Sequence, residues 1–470
     1  MIPSSRTGAQ RTASTGRAPA TLGARLAEFA AALTLEQVPA EVVTHAKLLT
    51  LDTLGAALAG VATAEGQAVV RAARTLAGAE GSSTVWGTPL RTTRTIAALA
   101  NGIIAHAQEL DDFGGCDHSG AVVLPAVLAA GEGRGITGAR LLEAIIVGYD
   151  VALRVMEAAG GYRDHNGRGW HSTGTCGSFG AAAAAAKVLK LDALQTAWAI
   201  GIAGSFTGGT WAFLADGAMS KRYHPGRAAE TGVVAAALAE EGFTGPAQIF
   251  EAEWGGFLPT YAGGDAEPDR LTRGLGADFK IMRSGVKPYA CCRGAHSTLD
   301  AVLDLRRRYA IAPEQIAGVS IRCSAEDMRM LGDKDPHTRL AAQMSLPYSV
   351  AAALMTGRAS LTEYEDAQLN DPATRTLMSR IEMRVDGALP EGTEPYVTVS
   401  LRTGMSHTGH VDFGRGAPEN PLPAADTIAK YDELAARALT PRSVVAVKQM
   451  ILGLDQLGSI DSLCDVLRAP

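Results

Sequence analysis

Residues 21–61 read TLGARLAEFAAALTLEQVPAEVVTHAKLLTLDTLGAALAGV. Apolar side chains recur there at steps of three and four, as in Leu22, Leu26 and Phe29 and again in Val42, Ala46 and Leu49. That spacing lays them along one face of a helix. Pro39 falls where a first helix must already have ended, because an interior proline removes a helical hydrogen bond and clashes with the preceding turn. The stretch is therefore a helical hairpin.

The same texture continues to about Leu258. Residues 95–110, 139–159, 175–191, 194–206 and 226–243 are helical in period and rich in Ala and Gly. Small side chains let helix axes approach closely, so these segments read as a compact, mostly buried α-bundle. After Gly276 short β-like runs appear at 279–289, 316–324 and 395–404, with helical segments at 295–310 and 340–356 between them. Beyond the turn-rich GRGAPENPLP at 414–423, helical periodicity returns at 425–439 and 444–457. The expected fold class is mainly α, a large all-helical domain plus a smaller α+β domain. The expected division is a disordered tail (1–20), a helical domain (21–283), an α+β domain (284–417) and a C-terminal return to the helical domain (418–470).

Length and composition narrow the function. A chain of 470 residues holds two or three compact units, and 47% hydrophobic against 20% charged residues suits a globular protein. With 43 basic and 49 acidic side chains the net charge is −6, which provides no cationic field for a nucleic acid. Six cysteines without a C-x-x-C pair fit a reducing compartment and give no zinc or iron–sulfur spacing. Apolar runs such as 177–191 are broken by Gly and Lys well short of the ~20 residues of a membrane helix. The first twenty residues lack the apolar segment of a secretory signal, so the expected location is cytoplasmic, with an organellar transit peptide as the alternative. No nucleotide-binding glycine motif occurs.

Four windows carry candidate chemistry. In NGIIAHAQELDDFGGCDHSGAVVLP (101–125), a helix ends in Glu109, Asp111 and Asp112, a Gly-rich turn bears His118, and a new helix is expected to be entered through Pro125. Carboxylates and an imidazole at helix termini form a proton-transfer station when burial and mutual charge tune them; otherwise Asp111 and Asp112 cap helices or pair with arginines. In HNGRGWHSTGTCGSFG (165–180), His165 and His171 adjoin hydroxyl-rich backbone that could grip a carboxylate, unless Ser172 or Thr173 is a plain N-cap and His171 a satisfied interior histidine. In DGAMSKRYHPGRAAETG (216–232), Lys221, Arg222, His224 and Arg227 crowd a helix start, opposing its macrodipole unless an anion sits there. SGVKPYACCRGAHSTLD (284–300) brings Lys287, Cys291, Cys292, Arg293 and His296, the last at a helix start that favours neutral imidazole. The cysteines have no sequence-local base and read as small buried apolar residues rather than nucleophiles.

Taken in order, LDTLGAALAG (51–60), NGIIAHAQELDDF (101–113), HSGAVVLPAVLA (118–129), GYDVALRV (148–155), GWHSTGTCGSFGAAAAAAKVLKL (169–191), SKRYHPGRAAETG (220–232) and KPYACCRGAH (287–296) resemble the MmgE/PrpD family. This family includes 2-methylcitrate dehydratase, cis-aconitate decarboxylase and iminodisuccinate epimerase. The resemblance implies a helical domain, an α+β lid domain, a homodimer, an interdomain cleft for a small di- or tricarboxylate, and no obligatory metal or organic cofactor. By motif it carries over His118, His171, Lys221, Lys287 and His296, and the catalytic set taken from this is His118, His171, Lys221 and His296, with Asp111 added from the acidic window. Substrate binding falls to Lys287, Arg293, Arg222, His224, Glu109 and Cys292. Three positions depart from the decarboxylases: Glu109 stands for an aspartate, Phe113 for a threonine and Cys292 for a histidine. The reading that results is a cofactor-independent lyase of the dehydratase type, abstracting a proton α to a carboxylate. The alternatives are an epimerase of a dicarboxylate, a decarboxylase, and a catalytically silent carboxylate- or partner-binding homologue.

Overall fold

A computed structural model of the chain describes residues 21–77, 81–390 and 392–468; the tail expected at 1–20 lies outside them. The hairpin forms as helices Leu22–Ala32 and Ala40–Gly60, with Pro39 at the N-cap of the second. The fold is mainly α with a smaller α+β part.

Helix Gly177–Val188 is buried along its whole length and packs between Gly138–Ala158 and Ser220–Glu240. Ser220–Glu240 in turn crosses Arg94–His106. Glycine allows that crossing: a Cβ on Gly102 would lie 2.6 Å from the Cα of Gly226. One apolar core spans these helices and takes in Tyr431, Val447 and Leu463 from the C-terminal helices Ala424–Ala435, Pro441–Leu452 and Asp461–Leu467. Lys430, on the first of these, reaches the central helices, donating to the Leu110 carbonyl at 2.7 Å and pairing with Asp52 at 2.6 Å.

The smaller part has its own core around a four-stranded sheet, in the order Ile381–Val385, Ile316–Cys323, Tyr396–Leu401, Ser406–Gly409. The first pair is parallel, with Val319 opposite Ile381, and the others are antiparallel. Alternation builds this layer, since Val397, Val399 and Leu401 point inward while their neighbours are half-buried. Two of its strands correspond to expected β-runs. Ser406–Gly409 has no apolar side chain to announce it, and Ile381–Val385 alternates Ile381, Met383 and Val385 over only five residues.

Two details differ from the sequence reading. Pro125 does not open a helix but lies inside Ser119–Gly131, a helix entered after His118. The 279–289 run yields only a two-residue strand, Ser284–Gly285. That strand pairs with Phe113–Gly114 and so ties the acidic loop to the start of the smaller part.

Candidate active site

The site grows from the loop between His106, the last residue of its helix, and His118, the N-cap of the next. Two non-glycine residues there have left-handed backbones, Glu109 (φ 54°) and Asp117 (φ 95°). Such conformations cost about 1–3 kcal/mol each and persist only when surroundings hold them. Lys287 holds the first by donating to the Glu109 carbonyl at 3.2 Å.

Glu109 is the hub. Its buried carboxylate accepts from Lys221 Nζ at 2.7 Å on both oxygens, from Lys287 Nζ at 3.1 Å, and from Arg222. Burial disfavours its charge, yet Lys221, Lys287 and Arg222 outweigh that and hold it well below the usual carboxylate range. The anion that the cationic start of helix Ser220–Glu240 calls for is thus supplied by the chain itself. Arg222 also donates to Gln343 of the smaller part at 3.0 Å, and Gln343 donates to the carbonyls of Gln108 and Ala290.

Behind the hub, Asp111 separates two imidazoles. Its Oδ1 is 2.9 Å from His106 Nδ1 and its Oδ2 3.1 Å from His118 Nδ1. Asp111 therefore pairs with histidines, not with arginines. His106 Nε2 accepts from Arg222 at 3.4 Å, so its proton sits on Nδ1, and burial keeps the ring neutral, well below the ordinary histidine range. His118 Nδ1 also meets the Asp112 carbonyl at 3.1 Å, which makes that nitrogen the donor and leaves Nε2 toward Glu109 (3.7 Å) and Asp117 (3.5 Å). Burial opposes charge on His118, but Asp117 and Asp111 prevail and raise its pKa above the ordinary value. Asp112 does cap a helix: it accepts from Gly120 N at 2.9 Å and from Tyr149 OH at 2.8 Å. Burial and the neighbouring Asp111 charge push its carboxyl up to about 7. Gly120 is required at this contact, since a Cβ would lie 2.2 Å from Thr53 Oγ1 and 2.7 Å from Asp112 Oδ1.

On the far side of Asp117 stands His171, its Nε2 3.2 Å from Asp117 Oδ2 and its Nδ1 2.7 Å from His224 Nδ1. Burial lowers the pKa of both histidines, His224 to about 3. Glu109, Asp117, His118, Lys221 and Lys287 floor a cavity of about 360 Å³ between the helical part and the smaller part. Its mouth carries two ion pairs, Arg293–Glu394 (2.9 Å) and Arg163–Glu326 (3.2 Å).

Of the residues nominated for catalysis, His118 and Lys221 border this cavity, while His171 and Asp111 stand one contact behind it. His296 is turned away: its ring packs on Phe113 and Tyr289, its Nε2 donates to the Cys291 carbonyl at 3.3 Å, and burial keeps it neutral. Among the nominated binding residues, Glu109, Lys287, Cys292 and Arg293 border the cavity, whereas Arg222 and His224 lie beneath it. Burial raises the Cys292 thiol, which suits an apolar wall better than a nucleophile. Sequence reasoning passed over Asp117, His106 and Gln343. The first two lie inside the 101–125 window, but only their placement beside His118 marks them.

Two trios come close enough to share a cation, His106–Asp111–His118 and Asp117–His118–His171. Their mutual contacts are hydrogen-bond pairs, and Lys221, Lys287 and Arg222 already crowd the floor with positive charge. The donor set fits protons and an organic anion better than a divalent metal.

The sequence pattern of this chain recurs in known proteins. The description "MmgE/PrpD N-terminal domain" matches residues 24–269, and "MmgE/PrpD C-terminal domain" matches residues 289–456. Cis-aconitate decarboxylase of Aspergillus terreus is 29% identical over 477 residues, covering 95% of each chain. Cis-aconitate decarboxylase-like protein oryM of Aspergillus oryzae is 31% identical, covering 94% of this chain and 96% of its own. The human cis-aconitate decarboxylase is 28% identical over 91% of each. With both domain descriptions matched in sequence order across nearly all of its length, the chain belongs to the MmgE/PrpD family.

Proposed function

We propose that the protein is a lyase that makes and protonates a carbanion next to a carboxylate of a small polycarboxylate, with decarboxylation as the first reading. The observation that carries it is the setting of His118. Asp111 orients its Nδ1, Asp117 raises its proton affinity, and its Nε2 faces the cavity beside Lys221 and Lys287. His118 is the catalytic residue in this reading; Asp111, Asp117 and His171 are positioning residues.

The ammonium groups of Lys221 and Lys287 hold a substrate carboxylate against the floor. When the C–C bond to the departing carboxylate breaks, its electron pair moves to the α-carbon and is shared with the retained carboxylate. Fixed cations stabilise that charge best in a site from which water is excluded. His118 Nε2 then gives its proton to carbon and carbon dioxide leaves. The names of the relatives favour this reading.

Dehydration is the second reading, favoured by the departures at Glu109, Phe113 and Cys292. Neutral His118 would take the α-proton, and a lysine ammonium would protonate the departing hydroxyl. Citrate, 2-methylcitrate and cis-aconitate incubated with the protein in deuterated water and followed by ¹³C NMR test both. Carbon dioxide with one deuterium on carbon supports decarboxylation, and an alkene with loss of water supports dehydration. No change in any of them overturns the lyase reading.

A further inference from the structure

Decarboxylation consumes one proton per turnover, because carbon dioxide leaves and a C–H bond replaces the broken C–C bond. His118 supplies that proton from Nε2 and must be recharged before it can act again. Its other nitrogen offers no route, since Nδ1 keeps its proton between Asp111 at 3.1 Å and the Asp112 carbonyl at 3.1 Å. On the Nε2 side, however, a row of groups leads away from the cavity. Asp117 Oδ1 lies 3.5 Å from His118 Nε2, Asp117 Oδ2 3.2 Å from His171 Nε2, and His171 Nδ1 2.7 Å from His224 Nδ1. His171 is fully buried, whereas His224 is half-buried and its outer nitrogen, Nε2, has no partner among the described residues.

The hydrogen bonds of this row all run one way. The Asp117 carboxylate is an acceptor, so His171 carries its proton on Nε2; Thr173 Oγ1 also lies 3.3 Å from that nitrogen. Burial keeps His171 neutral, which leaves its Nδ1 bare, and the 2.7 Å contact then requires His224 to donate from its own Nδ1. Each N–H thus points toward Asp117 and, beyond it, His118. Burial opposes charge on Asp117, but His118 and His171 outweigh it and hold its carboxyl below the usual carboxylate range, so it passes a proton on rather than keeping it. Aromatic rings sheathe the row. Trp211 and Phe213 stand edge-on to His171, with centroids 5.1 and 5.6 Å away, and Phe213 stands edge-on to His224 at 5.8 Å. Donors and acceptors already aligned and kept from water can hand a proton along without storing charge on any ring.

We infer that Asp117, His171 and His224 form a proton relay that recharges His118 from solvent while the cavity is occupied. A proton from water bonds to His224 Nε2, the His224 Nδ1 proton moves to His171 Nδ1, and the His171 Nε2 proton moves to Asp117 Oδ2. Asp117, turning about its Cβ–Cγ bond, delivers that proton to His118 Nε2. One proton has then passed from water to His118; each ring of the row ends as its other tautomer and reverts before the next proton enters. The need for a returning proton rests on the decarboxylase reading, but the row of groups does not. All three residues act through His118.

Two measurements test it, each on the parent protein, His224→Ala and His224→Asn. The asparagine amide can still donate to His171 Nδ1 but has no second nitrogen to take up a proton, and it keeps the test open should the alanine variant misfold. In the first, cis-aconitate is followed by quenched flow. The first turnover draws on the proton already on His118, so its rate should stay within about twofold of the parent while kcat falls about tenfold or more in both variants. Added 4-methylimidazole should restore most of the lost kcat to His224→Ala. In the second, exchange of the His118 Nε2 proton with solvent is followed by ¹⁵N NMR with tricarballylate in the cavity, which needs no turnover. Exchange should slow about tenfold in both variants, the rate equivalent of one lost hydrogen bond to a charged group. Parental exchange in His224→Asn overturns the inference whatever the parent turns over. A first turnover slowed as much as kcat also overturns it, because the fault then lies in the chemical step and not in recharging. Slowed exchange in a protein that releases no carbon dioxide from cis-aconitate supports the relay and overturns the decarboxylase reading.

Discussion

Asp117 stands between two imidazoles, its Oδ1 3.5 Å from His118 Nε2 and its Oδ2 3.2 Å from His171 Nε2. One carboxylate thus raises the proton affinity of the cavity-facing ring and orients the ring behind it. Asp117→Asn keeps the shape and removes the charge. His118 should then release its proton at a lower pH, because the Asp117 charge that helps raise its proton affinity is gone. If protonated His118 is the working form, the alkaline limb of the kcat/KM profile moves to lower pH. kcat should fall about 100-fold, within the range of a general acid's contribution. An unmoved limb would argue that Asp117 only supports the loop.

Glu109→Gln leaves Lys221, Lys287 and Arg222 buried without their shared counter-charge. Breaking a buried pair from one side costs about 3–5 kcal/mol. The thermal unfolding midpoint should fall, and a millimolar tricarboxylate should restore more of it than it adds to the parent protein. Equal stabilisation of both proteins would count against an anion seat at the floor.

The buried neutral histidines set a pH dependence of stability. His106 and His296 have folded pKa values well below the ordinary one, so between those values and about 6.5 the unfolded chain binds more protons. Stability is therefore fully present above about 6.5 and lost as pH falls below it, by up to about 1.4 kcal/mol per pH unit for each ring. Glu109 and Asp111, whose pKa values are depressed, add their own loss once the pH drops through the ordinary carboxylate range near 4. Chemical denaturation at pH 5, 6 and 7 should give a slope that His296→Phe reduces.

Cys292 borders the cavity with its thiol raised by burial. Cys292→Ser should keep kcat within about threefold, because an unactivated thiol contributes contact rather than nucleophilic chemistry. Loss of more than about 100-fold, with a thiolate absorbance that titrates alongside activity, would assign it a chemical role instead.

Helical periodicity made the large part of the fold readable, since long stretches such as 139–159 carry their period over several turns. The strand Ile381–Val385 was not readable, because its alternation lasts only five residues and its parallel partners lie 62 residues upstream. At the site, the residue types near 109–118 and 221–227 pointed to an anion and to proton transfer. The identity of that anion did not follow, because Glu109 meets Lys221 across 112 residues of chain. His296 illustrates the opposite limit. A histidine at a helix start looks reactive in sequence, and only packing reveals that its ring faces Tyr289 and Phe113.

Lys430 holds the Leu110 carbonyl from a helix 320 residues later in the chain. During synthesis the loop that bears Glu109 and Asp111 therefore leaves the ribosome long before its anchor exists. Contacts of such separation are slow to form, and the nascent protein must wait for almost its last helices before the loop can set. Chains that stop before residue 424 would carry every acid and imidazole of the site and still lack the brace that fixes them.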